Sequence, residues 1–297
     1  MKTLGHIGAF LIVAALLGAG PKTDAYAQEV VAVLSSELRP YLEAYEGFEE
    51  KMGRPVPSVN LNAGRPEIGR NTRVVVAFGS KAVIEDYPEH VALVYCMAPG
   101  AEIETSDRQM PIVAVHMLPE PQIVVARLKF IQPALKRLAV LWILGAMDGY
   151  VEQLRQAAAK IGVELLVEHL DSAADLPNRL RALAGAGVDA LWVPPDPLLI
   201  NAQNFAVLKD FSWANDAPLY VPTAGLVESG GVASVGTSFR QIGQTAAAVT
   251  LRVLQGQNVA AAVYPKRAET TLNTAAAART GLNISAQILQ EMDRVLP

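Results

Sequence analysis

The sequence predicts an α/β protein of two lobes, each built on a parallel sheet. Three observations carry that prediction. Short apolar runs alternate with amphipathic helical stretches, the pattern of repeated strand–helix–strand units. The alternation runs once through the first half of the chain and restarts after Lys136. At 297 residues the chain is also longer than an average single domain.

In chain order, the first run has strands at 30–34, 73–78, 91–95 and 112–116. A helix at 40–51 and a short strand at 59–62 lie between the first two. The polar segment 100–110 reads as a loop. The second run opens with RLAVLWIL (137–144) as a strand and YVEQLRQAAAKIG (150–162) as a helix closed by glycine. Strand 163–170, helix 176–187, strand 188–193, helix 201–213 and strand 218–223 follow. A further strand ends at Val235-Gly236. The helix after it carries Ile242, Ala246, Val249 and Val253 on one stripe, and one more strand lies near 270–272.

Composition narrows the function. Half the chain is hydrophobic (51%), 18% is charged, and the net charge is −4. No basic face of the kind nucleic acid requires is evident. The single cysteine, Cys96, rules out an internal disulfide and a cysteine-based zinc site. Residues 1–27 place Lys2 before an apolar run from Ile7 to Gly20, ending in Ala25-Tyr26-Ala27. That order predicts a cleaved secretory signal peptide and a soluble periplasmic protein. The apolar run falls short of the roughly 20 residues that span a bilayer.

The stretch VDALWVPPDPLLI (188–200) ends a buried strand on three prolines around Asp196. Proline cannot donate to a sheet ladder, so the strand stops there. In open parallel sheets, ligands sit beyond the carboxyl ends of the strands. The candidate ligand-binding residues are accordingly those after each strand: Ser35, Ser36, Gly79, Ser80, Met97, Pro99, Tyr150, Pro195, Asp196, Thr223, Ala224 and Ser238. Ser80 fits an ordinary helix cap as well as an anion site. Asp148 and Asp196 suit caps too. Trp142 and Cys96 suit the core.

The second half resembles the ABC-transporter substrate-binding proteins of the tryptophan- and tyrosine-binding-like family. The resemblance rests on KRLAVLWILG (136–145), AAAKIGVELL (157–166) and VDALWVPPD (188–196). It continues through GGVASVGTSFRQIGQTAAAVTLRVLQGQ (230–257) and TLNTAAAARTGLNI (271–284). It implies the type I periplasmic-binding-protein fold, two Rossmann-like lobes joined by a three-stranded hinge. Lobe one would comprise 28–118 and about 238–262, lobe two about 119–237 and 263–297. It also implies a small-molecule ligand in the inter-lobe cleft, delivered to an ABC permease. Two departures stand out. The segment between Ala98 and Gln122 is short. Ala224 and Gly225 stand where amino-acid-binding members carry acidic residues, and Asp196 alone matches the family's turn aspartate.

Catalysis has no support in the motifs. Only His90, His116 and His169 remain after the predicted leader, without HExxH spacing, and there is no phosphate loop or nucleophile elbow. No enzyme, cofactor or metal is expected, and a monomer is. The loops after the strands are rich in Pro, Ala, Gly and Met and poor in charge. An apolar cargo, such as an aromatic compound, a sterol or another lipid, is therefore the alternative to a polar nutrient. A ligand-sensing role beside a membrane receptor is the other.

Overall fold

The structure, a computed structural model, describes residues 29–101, 103 and 109–297. The predicted leader lies outside the described residues, as does most of the polar loop.

Two sheets organise the chain. The first contains β1 (Val30–Leu34), β2 (Ser58–Asn60), β3 (Val74–Phe78), β4 (Ala92–Cys96), β5 (Ile112–Val115) and β11 (Ala262–Val263). Their order across the sheet is β11-β5-β4-β3-β1-β2, all parallel. The second contains β6 (Arg137–Trp142), β7 (Glu164–His169), β8 (Ala190–Trp192), β9 (Leu219–Val221), β10 (Ala233–Gly236), β12 (Glu269–Asn273) and β13 (Arg294–Leu296). Here the order is β13-β12-β10-β9-β8-β6-β7, parallel except where β10 meets β12. Strands β1 and β3 are buried at all five positions, as a sheet covered on both faces demands.

The chain passes between the sheets three times: from β5 to the helix α3 (Pro121–Ile131), from β10 to α8 (Phe239–Leu254), and from β11 to β12. Helix α3 is an element the sequence pattern did not mark. Residues 188–189 precede β8 rather than extend it, and Val193 lies beyond it. The other predicted elements lie within two residues of their expected bounds.

Helix α1 (Arg39–Met52) starts with proline in its first turn and stops at Gly53, whose φ of 70° is left-handed. It packs on α8 so closely that a Cβ on Gly243 would sit 1.7 Å from the Ala44 carbonyl oxygen. A Cβ on Gly47 would sit 2.1 Å from that of Arg240. Arg240 closes the pair from outside, with ion pairs to Glu46 (2.8 Å) and Glu50. The predicted stripe on α8, Ile242, Ala246, Val249 and Val253, is buried against the first sheet. Helices α4 (Asp148–Lys160), α5 (Leu176–Ala186) and α6 (Ala202–Ala214) belong with the second sheet.

Candidate functional site

The proline elbow is a clamp. Asp196 is fully buried, and its carboxylate accepts four backbone N–H groups. Oδ2 takes Ile143 at 2.6 Å and Leu144 at 2.8 Å, just past β6. Oδ1 takes Leu198 at 2.8 Å and Leu199 at 3.3 Å, within its own turn. Asp189, at the other end of β8, accepts from Lys136 and Arg137 at 2.7 Å each. The two aspartates of the VDALWVPPD stretch thus hold β8 to both ends of β6. The expectation that Asp196 offers its carboxylate to a ligand is corrected: its acceptor positions are filled by backbone.

Other predicted residues also serve the scaffold. Ser35 is buried, and its Oγ accepts from Ala82 N at 3.0 Å, capping α2 (Ser80–Val83) from a neighbouring strand end. Gly79 makes this possible. At φ 97° it is left-handed, and a Cβ there would approach the Ser35 hydroxyl to 2.6 Å. Ser80 is exposed and is the first residue of α2, not its cap. Ser36 is half-buried, its Oγ accepting from Leu38 N at 3.3 Å. Met97, at a left-handed φ of 58°, is packed into the core of the first sheet with Cys96. Asp148 does not cap its helix: it accepts from Trp142 Nε1 at 2.6 Å.

The rest fall into two cavities at the strand ends. Thr223, Ala224 and Ser238 border a polar recess of about 470 Å³ between the start of α1 and the ends of β9 and β10. Its lining includes Arg39, Glu43, Glu228 and Glu269, with the hydroxyls of Ser234 and Thr271 behind. Arg39 is paired with Glu43 and Arg294 with Glu228.

Pro99, Tyr150 and Pro195 border a second cavity of about 400 Å³. One wall follows β4 and β5, with Tyr95, Pro99, His116 and Met117; the opposite wall follows β6 and β8, with Met147, Tyr150 and Pro195. Tyr264, on the third crossing, completes it. His116 and Tyr264 are stacked, with centroids 4.1 Å apart and planes 10° from parallel. Tyr150 is buried with its hydroxyl donating to Pro119 O at 2.8 Å, and its ring lies 6.4 Å from that of Tyr264. Trp192 stacks behind Tyr150 at 6.2 Å.

Among the described residues no Asp, Glu, Lys or Arg lines this cavity. Burial holds His116 below its ordinary pKa and therefore neutral at pH 7. Burial raises Tyr95, and burial together with the charge of Glu120 raises Tyr264, so both phenols stay protonated. Glu120 itself lies outside the lining and accepts from the Gln122 side chain. Sequence reasoning missed His116 and Met117 because His116 reads as the last residue of its strand and the turn after that strand was not among the candidates; it missed Tyr264 because the two-residue strand β11 before it carries no pattern. Among the described residues, no cluster of histidine, cysteine and carboxylate side chains could hold a metal ion.

Two sheets, three crossings and cavities at the facing strand ends are the geometry of a two-lobed binding protein, and comparison agrees. Residues 120–296 match the family described as ABC transporter substrate binding protein. The chain belongs to that family. Over 133 residues it is 23% identical to a tyrosine-binding protein of Clostridioides difficile (strain R20291), covering 44% of this chain and 38% of that one. Its fold is similar to that of an ABC domain from Streptococcus pneumonia solved with L-Trp (TM-score 0.61, 17% identity, 90% and 100% of the two chains). It is equally similar to a ligand-free, open substrate-binding protein with adhesive properties from Clostridium difficile (TM-score 0.63, 13% identity, 91% and 99%). Among the described residues no helix is long and apolar enough to cross a membrane.

Proposed function

We propose that the chain is an exported binding protein that captures a small ligand between its sheets and presents it to an ABC permease. The supporting observation is the 400 Å³ cavity, whose walls come from the strand ends of both sheets and from two of the three crossings. A ligand there touches both halves at once, so binding favours whichever inter-sheet angle brings the walls together. Residues up to about 118 with 238–262 would move as one lobe, and 119–237 with 263–297 as the other. Residues 1–27 would direct export to the periplasm and be removed. No nucleophile–base pair borders the cavity among the described residues, which favours binding over turnover. Pro99, Tyr150 and Pro195 are ligand contacts in this reading, whereas Ser35, Gly79, Met97 and Asp196 build the walls behind them. Thr223, Ala224 and Ser238 face the polar recess, and Ser36 and Ser80 border neither cavity.

A cavity of this size is at the low end of the roughly 300–1,000 Å³ of ligand pockets, which suits one or two rings better than a lipid. The test is to purify the protein from its own host and extract whatever accompanies it. Small-angle scattering is then recorded with and without the extracted molecule. Stoichiometric capture with a smaller radius of gyration is expected. Chemical conversion of the molecule, or binding without contraction, refutes the reading.

A further inference from the structure

The ligand class can be drawn from the cavity's chemistry, and the inference rests on the capture reading above. We infer that this cavity selects a planar ring compound without formal charge, carrying one or two neutral polar atoms, and discriminates against the zwitterion of an amino acid bearing the same ring.

Three observations combine. The first is the make-up of the described lining, whose polar side chains are the neutral Tyr95, His116, Tyr150, Gln153 and Tyr264 among alanine, glycine, proline, valine, leucine and methionine. A free amino acid brings an ammonium and a carboxylate, and a desolvated charge requires an opposite charge or a full set of hydrogen bonds. The second is the flat face made by His116 and Tyr264, stacked within 10° of parallel, beside the rings of Tyr95 and Tyr150. Such a face matches another ring in offset stacking or edge contact. The third is the kind of polar group that remains. Tyr95 Oη and the His116 ring nitrogens have no partner among the described residues, and Gln153 is engaged only by a long 3.4 Å bond from Tyr264. A phenol, an imidazole and an amide are neutral donors and acceptors suited to a hydroxyl, a carbonyl or a ring N–H on the ligand. Met117 and Met147 fill the remaining wall and adapt to differences in ring outline.

The test uses matched probes on one ring: 3-methylindole (neutral), indole-3-acetate (anion), tryptamine (cation) and L-tryptophan (both charges). A second pair is 4-methylphenol and L-tyrosine. Each is titrated calorimetrically into the full chain after dialysis. We expect the neutral member of each set to bind at least tenfold more tightly than every charged member. Tyr264→Leu should weaken the neutral probes at least tenfold, with His116→Ala as the second variant. Ser238→Ala, in the other recess, should leave them unchanged. Circular dichroism of each variant separates loss of binding from loss of fold. If a charged member binds as tightly or more tightly, and Tyr264→Leu abolishes it, the cavity captures ligands but the neutral class is wrong. Binding insensitive to both Tyr264→Leu and His116→Ala overturns the cavity assignment and the inference together. If none of the six probes binds, the planar-ring class is overturned, and the molecule extracted from the host still decides whether the protein captures a ligand.

Discussion

Replacing Asp196 by alanine tests whether the proline elbow is a wall or a ligand contact. The carboxylate is buried and accepts from Ile143, Leu144 and Leu198 at 2.6–2.8 Å and from Leu199 at 3.3 Å. Alanine removes every acceptor and leaves those N–H groups without a partner. An unsatisfied buried group costs about 1–3 kcal/mol. The three short bonds dominate, and water admitted to the vacated space recovers part of the loss, so Asp196→Ala should destabilise by about 3–5 kcal/mol. Asn keeps one oxygen and turns the other into a donor facing N–H groups, so Asp196→Asn should lose about 2–3 kcal/mol. Urea unfolding of both variants, with the slope compared to confirm that the denatured state is unchanged, gives the values. Ligand affinity of the folded fraction should stay within a few fold of wild type. A variant that unfolds like the parent, within about 1 kcal/mol, yet no longer holds its ligand refutes the clamp and restores Asp196 as a recognition group.

Other consequences are open to the same assays. Gly243→Ala drives a methyl into the Ala44 carbonyl and should cost more than about 2 kcal/mol, where a substitution to alanine in an ordinary exposed helix stabilises; no loss in thermal denaturation would mean that α1 and α8 can separate freely. Ser35→Ala deprives Ala82 N–H of its acceptor and should cost about 1 kcal/mol, the usual worth of a helix cap, read from the urea midpoint. His116 is held neutral by burial, so its folded pKa lies below the ordinary 6.5. Above that pH both states are neutral and the group contributes nothing; below it the unfolded chain takes up the proton first and stability falls. His116→Gln should therefore flatten the decline in stability as pH drops below 6.5, and an unchanged profile would show that His116 protonates freely in the folded state.

Much of the architecture was legible because the central strands, such as β1, β3, β4 and β6, are apolar runs with helical stretches between. Helix α3 escaped because Pro121–Ile131 is apolar around much of its circumference, with Val124, Val125, Leu128 and Ile131 all buried, so its face does not stand out. Strands β11 and β13, of two and three residues, are too short for any period. The site was half legible. Strand ends led to Pro99, Tyr150 and Pro195, but a carboxylate after a strand reads the same whether it faces a cleft or the adjoining backbone. Asp196 is the second case. Only the neighbouring turn at Ile143 and Leu144, 53 and 52 positions away, decides between them.

The stacked pair His116 and Tyr264 belongs to two different crossings between the sheets. Any bending of the molecule must either carry these rings together or slide one face across the other. The same faces border the 400 Å³ cavity. Under the proposed capture function, occupancy and bending angle would be reported through one pair of side chains, and a substitution there should change how far the protein bends as well as how tightly it holds its cargo. Screens for altered specificity at positions 116 and 264 should then recover changes in delivery along with changes in affinity.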